Sequence, residues 1–575
     1  MNGIRERIRA IVEKAVRTTG AQALVSLEAA HDTRFGHYTT NVAFALAKET
    51  RKVPLEVARE LVEKIRLSDV GHMIEKAEAV APGFVNITLL SQTLREEFGS
   101  IVKAGAKWGM PLGILRRGSG QAVVIDYSAP NIAKPMSVGH LRSTIIGAAL
   151  YNIFRFSGWK TIGDNHLGDW GRQFGILIAA YKERPATSDK RQGKATIGDL
   201  MRLYVDYNAR MKEDAALEER ARLETKKLQD GDRENTKLWK QFYKISLAEF
   251  KKIYTLLGVK FDYSYGESHY KDMLSGIVSD ALSKGVAVRS EGAVIIPVPD
   301  KAPLVIQKSD EAFLYATTDI ATVKQRVKQW KPDLILYVVG NEQTLHLEQL
   351  FYAVKQLQIV SRETMSHVKF GMILGEDMKK LSTRAGKHIA LEEVIEEAIE
   401  RARAVVDEKR PDLSERERAK IAKAIGIAAL KYNDLSQNRQ SDIAFQWDKM
   451  LNLEGNSAPY LMYSYARLKS IIRKAGRKRT IFDAKALASP LELGLVAKLI
   501  RFPEVLHEIT QSYFPHHLTD YLYELAKEVS AFYEQEPVLK AAPDVRAARL
   551  ALIGAVAQTM KTGLGLLGIE TLEKM

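Results

Sequence analysis

Between Asp126 and His140 the chain reads DYSAPNIAKPMSVGH, flanked by an apolar run, AVVID, and by an amphipathic stretch, GHLRSTIIGAALYNIFRF. A loop that leaves the C-terminal end of a buried strand and opens a helix lies where ligands bind in open α/β sheets. The first turn of the helix offers unpaired backbone N–H groups and a partial positive charge, which suit phosphate. Gly139 permits close approach of a flat base or a phosphate to the backbone. His140, in the first turn, can donate a hydrogen bond to a phosphate oxygen, and Lys134, between two turns, supplies a mobile cation. Taken alone, a Gly-His pair at a helix start is as readily a simple cap. A second basic stretch, Lys379-Lys380-Leu381-Ser382-Thr383-Arg384-Ala385-Gly386, follows VKFGMILGEDM; in isolation it reads as a solvated turn.

These residues need a scaffold. AVVID has the continuous apolar character of a strand buried on both faces. The helix that follows stops at Ser157-Gly158, and Trp159 to Ile162 begins a second strand. Strand, loop, helix, strand is a βαβ unit, which predicts an α/β domain with a Rossmann-like parallel sheet over about 115–440. Residues 185–256 are charge-rich and helical and read as an insertion in that domain. The sheet pattern is expected to return at AVIIPV, LILYVVG and VKFGMIL. After Leu391 the chain is helical. Leu391, Val394, Ile395, Ala398, Ile399 and Ala402 share one helical face, and a helix bundle is expected over 441–575. Residues 1–108 form an N-terminal α+β unit. Ile4, Ile8, Ile11, Val12 and Ala15 recur at helical spacing, a helix is predicted from Val53 to Leu67 with Pro54 in its first turn, and Phe84 to Leu89 reads as a strand. LGILRRGSGQ reads as the linker.

Composition narrows the function. The chain has 575 residues, enough for several domains, and a net charge of +15, which favours a polyanionic partner. Without cysteine, disulfides, Cys-ligated zinc and thiol catalysis are excluded. The N-terminal stretch is charged throughout and lacks the apolar block of a signal peptide. No apolar run approaches the roughly 18 residues of a membrane span. A cytoplasmic protein without a membrane association is expected.

The string SAPNIAKPMSVGHLRSTIIG strongly resembles the HIGH loop of class I aminoacyl-tRNA synthetases, in the form typical of the arginine enzymes. The first histidine of that signature is Ser137 here. Lys380, Leu381 and Ser382 match the K-M-S of the second ATP signature, whose second lysine is replaced by Thr383. Arginine enzymes often lack that lysine, and the resemblance gives its task to Lys134. A positioned cation on either side can stabilise the charge that builds on the α-phosphate and the leaving pyrophosphate. The resemblance thus implies Lys134, His140 and Lys380 as catalytic. It implies an ATP site of Pro130, Lys134, Ser137, Gly139, His140, His346, Gly371, Met372, Lys380 and Ser382.

A guanidinium is selected by carboxylates and planar acceptors. By resemblance the arginine site comprises Asp126 (usually Glu in the family), Asn131, Tyr315, Asp319 and Gln343. The last three lie in FLYATTDIATVKQR and YVVGNEQTLHLEQLF. Two further family landmarks, NHLGDWGRQFG at 165–175 and DYSYGESHY at 262–270, read as structural.

LNLEGNSAPYLMYSYARLKSIIRK resembles the segment that opens the family's helical anticodon-binding domain. Tyr460, Tyr463 and Arg467 fall on one helical face and suit stacked bases and phosphate. Met462, Ser464 and Tyr465 depart from the usual residues, which reads as an altered face. Arg467, Lys469, Arg473, Lys474, Arg477, Lys478 and Arg479 follow without an acid between them and read as a phosphate track. GHYTTNVAFALAK and APGFVNITL are similar to the family's additional N-terminal domain, which touches the outer corner of the tRNA. The resemblance implies a monomeric arginine–tRNA ligase using L-arginine, ATP with Mg2+ and tRNA(Arg), without zinc, and requiring tRNA even for the first step. Ser137 keeps one alternative in view, a catalytically impaired RNA-binding paralogue. A class I synthetase for another amino acid is the third reading.

Overall fold

The structure, a computed structural model, describes residues 3–20, 22–30, 35–111, 120–184, 195–361, 364–375, 389–476 and 482–575. At the N-terminal end, β1 (Glu28–Ala29), β2 (Tyr38–Thr40), β3 (Ile74–Val80) and β4 (Phe84–Leu89) form an antiparallel sheet in the order β1-β2-β4-β3. The helix Ile4–Arg17 buries Ile4, Ile8, Val12, Ala15 and Val16, an i, i+4 stripe, while Ile11 is half-buried. The helix Pro54–Ser68 starts at its proline, one residue from the predicted boundary. Most of the expected linker, residues 112–119, lies outside the described residues.

Strands β5 (Ala122–Asp126) and β6 (Lys160–Asp164) pair in parallel, with Asp126 opposite Asp164. Next in the chain, β7 (Val288–Ser290), β8 (Ala293–Ile296) and β9 (Leu304–Gln307) form a separate antiparallel sheet. The parallel sheet resumes with β10 (Leu334–Tyr337) and β11 (Thr364–His367), giving the order β11-β10-β5-β6. Register places Asp126, Asp164, Tyr337 and His367 at the same edge, so the C-terminal ends of all four strands open on one crevice. All of β5 is buried, which explains the unbroken apolar run that marked it.

Two strand expectations need correction. AVIIPV does not return to the parallel sheet; β8 has alternate residues buried, as a strand with one covered face does. VKFGMIL supplies only β12 (Ile373–Leu374), which pairs with β13 (Ile443–Ala444) outside the main sheet, and the edge strand is the less apolar TMSH at β11. Gly371 is the physical reason. A Cβ there would lie 2.5 Å from an Asp442 carboxylate oxygen, so the chain at 371 is committed to the 441–442 backbone.

The helix Gly139–Phe156 runs from the crevice along β5. It buries Leu141, Ile145, Ile146, Ala149, Leu150 and Ile153. Arg142 on this helix is buried; its Nε donates to both oxygens of the buried Asp434 carboxylate at 3.2 Å, Nη2 lies 3.1 Å from that carboxylate in an ion pair, and Nη1 donates to the Ser441 carbonyl at 2.8 Å. The helix Glu415–Leu435 and the segment after it are thereby tied to the start of the site helix. Helices Ile197–Arg210, Ala215–Gln229 and Arg233–Leu256 make up the helical insertion. Helices Ala458–Lys474, Pro490–Ile500, Phe502–Ser512, His516–Gln535 and Pro543–Leu566 form the C-terminal bundle.

Candidate active site

The loop after β5 holds three non-glycine residues at positive φ: Ser128 at 75°, Ala129 at 47° and Ala133 at 65°. Each such residue costs of order 1 kcal/mol and persists only where its surroundings over-determine it. They do so here. The Ser128 N–H donates to Ser143 Oγ at 2.8 Å and the Ala129 N–H to Asn165 Oδ1 at 3.0 Å. The Ile132 N–H donates to the Gly168 carbonyl at 3.0 Å and the Ala133 N–H to Ser246 Oγ at 2.8 Å. Asn131 is exposed beside Gly168, where a Cβ would lie 2.0 Å from its Oδ1. Pro130 is buried within the loop, and its carbonyl accepts from the Gly168 N–H at 3.2 Å.

His140 lies in the first turn, beside exposed Gly139. The Ser137 backbone N–H donates to His140 Nδ1 at 3.1 Å, and the Ser137 hydroxyl lies 3.1 Å from the same nitrogen. The Ser137 carbonyl lies farther from Nδ1, at 3.3 Å; with the N–H and hydroxyl both nearer, Nδ1 is placed to accept, which puts the proton of the neutral ring on Nε2. The imidazole is thus set as a donor. Ser137 takes part through its position in the turn, which any residue type supplies. Lys134 is half-buried, with its ammonium 4.6 Å from the ring centroid of Tyr204 on the insertion, and burial lowers its pKa from the usual lysine value.

Across the crevice, the helix Tyr315–Trp330 carries Tyr315 and Asp319, and Thr344–Gln356 carries His346. His346 Nε2 is 2.6 Å from Asp319 Oδ2, and the Tyr315 ring meets the imidazole edge-on at 4.9 Å. Gln343 ends the short turn Asn341–Gln343 after β10 and is exposed. Tyr315, Asp319 and His346 are therefore in direct contact. Asp126 is placed differently. It is buried at the end of β5, and its Oδ2 accepts from Arg326 Nη2 at 2.6 Å. Arg326, fully buried, also contacts Asp164 at 2.8 Å. Asp126 thus already faces a guanidinium belonging to the chain itself.

Glu267 is the residue that sequence reasoning left inside a structural string. The strings at 165–175 and 262–270 run alongside each other: Asn165 N–H donates to the Tyr263 carbonyl at 3.0 Å, Leu167 N–H to Tyr265 at 3.2 Å, and Glu267 N–H back to Leu167 at 3.1 Å. Gly266 has no room for a Cβ, which would lie 2.2 Å from the Asp169 carboxylate. Asp169 accepts from the Ser268 N–H and hydroxyl at 2.8 and 2.6 Å. This pairing delivers Glu267 next to Asp319. Burial, then the Asp319 and Asp169 charges, push its pKa up to about 8. A carboxyl raised this way, first by burial and then by like charges, is one that a neighbouring cation would stabilise in its ionised form. Nothing local in the sequence marks Glu267, because the strand-like pairing that places it is non-local.

On the other side of the site helix, Gly371 N–H donates to the Arg439 carbonyl at 3.0 Å and Met372 N–H to Asp442 Oδ1 at 2.7 Å, with the Met372 side chain about half exposed. Lys380 and Ser382, with the rest of the second signature, lie outside the described residues.

In the C-terminal bundle Tyr460, Tyr463 and Arg467 line one groove with Tyr533. Tyr463 is 49% exposed, and the Arg467 guanidinium lies 4.2 Å from the Tyr533 ring centroid. Met462 and Tyr465 are in the core, so those two departures do not alter the exposed face, whereas Ser464 borders the groove. Lys469 pairs with Glu573 at 3.1 Å, and residues 477–479 of the basic run lie outside the described residues.

A parallel sheet whose strand-end loop opens a helix at Gly139-His140 is the arrangement of a class I aminoacyl-tRNA synthetase. The family model described as "tRNA synthetases class I (R), catalytic domain" matches residues 113–447. Models described as "Arginyl tRNA synthetase N terminal domain" and "DALR anticodon binding domain" match residues 2–89 and 461–575. The chain is 42% identical over 543 residues to an arginine–tRNA ligase of Chloroflexus aurantiacus, covering 93% of each chain. It is 39% identical over 587 residues to one of Hahella chejuensis, covering 100% of this chain and 99% of the other. The crystal structure of arginyl-tRNA synthetase from Plasmodium falciparum superposes over 100% of both chains with a TM-score of 0.85 at 26% identity. The chain belongs to the arginyl-tRNA synthetases.

Proposed function

We propose that the chain activates L-arginine with ATP and transfers it to tRNA(Arg), and that the crevice at the strand ends is where both steps occur. The observation that carries this reading is the grouping of Asp319, Tyr315 and His346, with Glu267 close enough to feel the Asp319 charge, in the same domain as the Gly139-His140 helix start at the end of β5. In the first step the arginine carboxylate attacks the α-phosphate of ATP, which enters with Mg2+ as part of the substrate. A P–O bond forms, the bond to the β-phosphate oxygen breaks, and pyrophosphate leaves. His140 Nε2–H and the helix N–H groups meet the phosphate oxygens, and Lys134 and Lys380 offset the charge that accumulates on the departing pyrophosphate. In the second step a 3′-terminal ribose hydroxyl of the tRNA attacks the arginyl carbonyl and AMP leaves. Neither step needs a side-chain nucleophile; positioning and electrostatics carry the rate.

For the amino acid, Asp319 and Glu267 offer two carboxylates to one guanidinium, with Tyr315 as a wall and Asn131 and Gln343 near the α-carbon groups. Asp126, engaged by Arg326, acts by holding the strand end. For the nucleotide, Pro130, Ser137 and His346 border the ribose and phosphates and Gly371-Met372 the adenine side, and Ser382 belongs to the ATP site by its match to the second signature. Tyr460, Tyr463 and Arg467, with Tyr533, take splayed anticodon bases and phosphate. We divide the chain into a tRNA-contacting unit at 1–108, the catalytic domain at 115–440 with its insertion near 185–256, and the anticodon-binding bundle at 441–575. A net charge of +15 supports a polyanionic partner. No helix among the described residues is long and apolar enough to cross a membrane, and we place the enzyme in the cytoplasm as a monomer.

Isothermal titration with arginine and with citrulline tests the amino-acid site. Citrulline has nearly the same shape and no charge. Loss of a buried charge pair predicts citrulline binding about 100-fold weaker or more, since leaving such carboxylates unpaired costs roughly 2–5 kcal/mol. Equal binding of the two would remove Asp319 and Glu267 from the site.

A further inference from the structure

Arg439 stands at a junction that the proposed chemistry does not use. It is 5% exposed, and among the described residues no carboxylate pairs with it. Its contacts are backbone carbonyls and a ring instead. Nε donates to the Tyr513 carbonyl at 2.9 Å, Nη1 donates to the Lys369 carbonyl, and the guanidinium carbon lies 4.2 Å from the Phe514 ring centroid. Its own carbonyl accepts from Gly371 N–H at 3.0 Å and from Arg142 Nη2 at 3.1 Å.

A buried guanidinium without a carboxylate is a costly choice, sustained only when its hydrogen bonds hold something in place. Three parts of the chain meet here. Lys369 to Met372 is the backbone on the nucleotide side. Arg142 belongs to the helix that begins at Gly139. Tyr513 and Phe514 form the corner between two helices of the C-terminal bundle, with Tyr513 left-handed at φ 60° and its ring 6.2 Å from that of Phe154 on the site helix. One side chain therefore fixes the 369–372 backbone to the bundle, while its own backbone fixes it to the site helix.

We propose that Arg439 is a positioning residue through which the C-terminal bundle sets the affinity of the nucleotide site. The proposal rests on the reading that Gly371 and Met372 face the adenine. Residues that link two sites through such a network shift coupling by a factor of about 2 to 30. Toward the arginine site the network touches only the turn that ends at Gln343, where the Asn341 N–H donates to the Phe370 carbonyl at 3.0 Å, while Asp319 and Glu267 hang from other elements, so arginine affinity should change much less than ATP affinity.

The test uses the full chain and titrates ATP and arginine separately into the parent and into Arg439→Lys, Arg439→Met and Phe514→Ala, with a thermal melt of each. Arg439→Met should weaken ATP by about 10- to 30-fold and Phe514→Ala by about 3-fold or more, with arginine changed by less than about 2-fold. Arg439→Lys, which keeps a charge and one donor, should recover part of the loss. ATP affinity within about 2-fold of the parent in Phe514→Ala and in a folded Arg439→Lys would overturn the proposal. So would ATP and arginine weakening together in step with the melting temperature, since that is loss of fold. Gly371→Ala checks the underlying reading on its own. If ATP binds the parent and this variant equally, the adenine lies elsewhere and the proposal falls with that reading; if Gly371→Ala weakens ATP while the Arg439 and Phe514 variants do not, only the proposal falls.

Discussion

His140→Ala lowers the rate of arginine-dependent pyrophosphate exchange by about 100- to 1,000-fold while leaving tRNA binding within about 2-fold, the loss typical of removing one preorganised donor from a developing oxyanion. The size follows from how the ring is held. The Ser137 N–H at 3.1 Å from Nδ1, nearer than the Ser137 carbonyl at 3.3 Å, favours the tautomer with its proton on Nε2, so the donor is in place before substrate arrives. Lys134→Ala should lose about as much, because a cation at the phosphates acts in the same low-dielectric space. Its ammonium rests over Tyr204 at 4.6 Å, within reach of a new partner by side-chain rotation. Exchange rates measured at saturating arginine with tRNA present throughout, and tRNA affinity followed separately by filter binding, check both. Parent-like exchange in Lys134→Ala would end the argument that this lysine stands in for the one replaced by Thr383. Ser137→Ala, by contrast, should cost less than about 10-fold, because the backbone N–H that sets the tautomer remains.

The second large effect is a pH dependence of arginine binding. With its pKa pushed up to about 8, Glu267 is mostly protonated at pH 7 in the empty site. A guanidinium binds the deprotonated form, so binding must release that proton. Arginine affinity therefore rises as pH rises toward 8, by close to 10-fold per pH unit below that value, and levels off above it. A site built on an ordinary carboxylate, fully ionised throughout this range, would give a flat profile instead. Glu267→Gln should flatten the profile and weaken arginine at pH 8 and above by about 100-fold, as expected for truncating one partner of a desolvated charge pair. Asp319→Asn removes the charge that helps raise the Glu267 pKa. Its profile should shift toward lower pH as well as weaken. Titrations from pH 6 to 9 in the parent and both variants read this directly; a flat profile in the parent would mean that Glu267 does not meet the substrate.

Much of the site was legible before the structure, and for identifiable reasons. The loop from Asp126 to His140 was readable because its chemistry is local: a buried strand, a punctuated turn and a helix start are consecutive in sequence, and the helix occupies Gly139–Phe156 as its pattern predicted. Tyr315 and Asp319 came from resemblance to a family segment, and their shared helix, Tyr315–Trp330, matches the helical spacing of that segment. What escaped depended on pairing between distant segments. Glu267 acquires its position only when 262–270 lies along 165–175, and its perturbed pKa only when Asp319 arrives from a third element. Asp126 entered the arginine site by resemblance alone, at a position where the family usually has Glu. That it instead meets Arg326, 200 residues away, could not be seen in any local pattern. AVIIPV and VKFGMIL misled for a related reason: apolar runs announce strands but not which sheet they join, and it is Gly371 against 441–442 that diverts the second of them.

The most direct test of the whole account is aminoacylation of total tRNA by the purified protein, with each radiolabelled amino acid supplied in turn alongside ATP. Charging with arginine, and with no other amino acid, is the predicted result, and it would show that a serine at position 137 is compatible with catalysis. Tight tRNA binding without charging by any amino acid would contradict it and would describe a protein that has kept the RNA surface of its family and lost the chemistry.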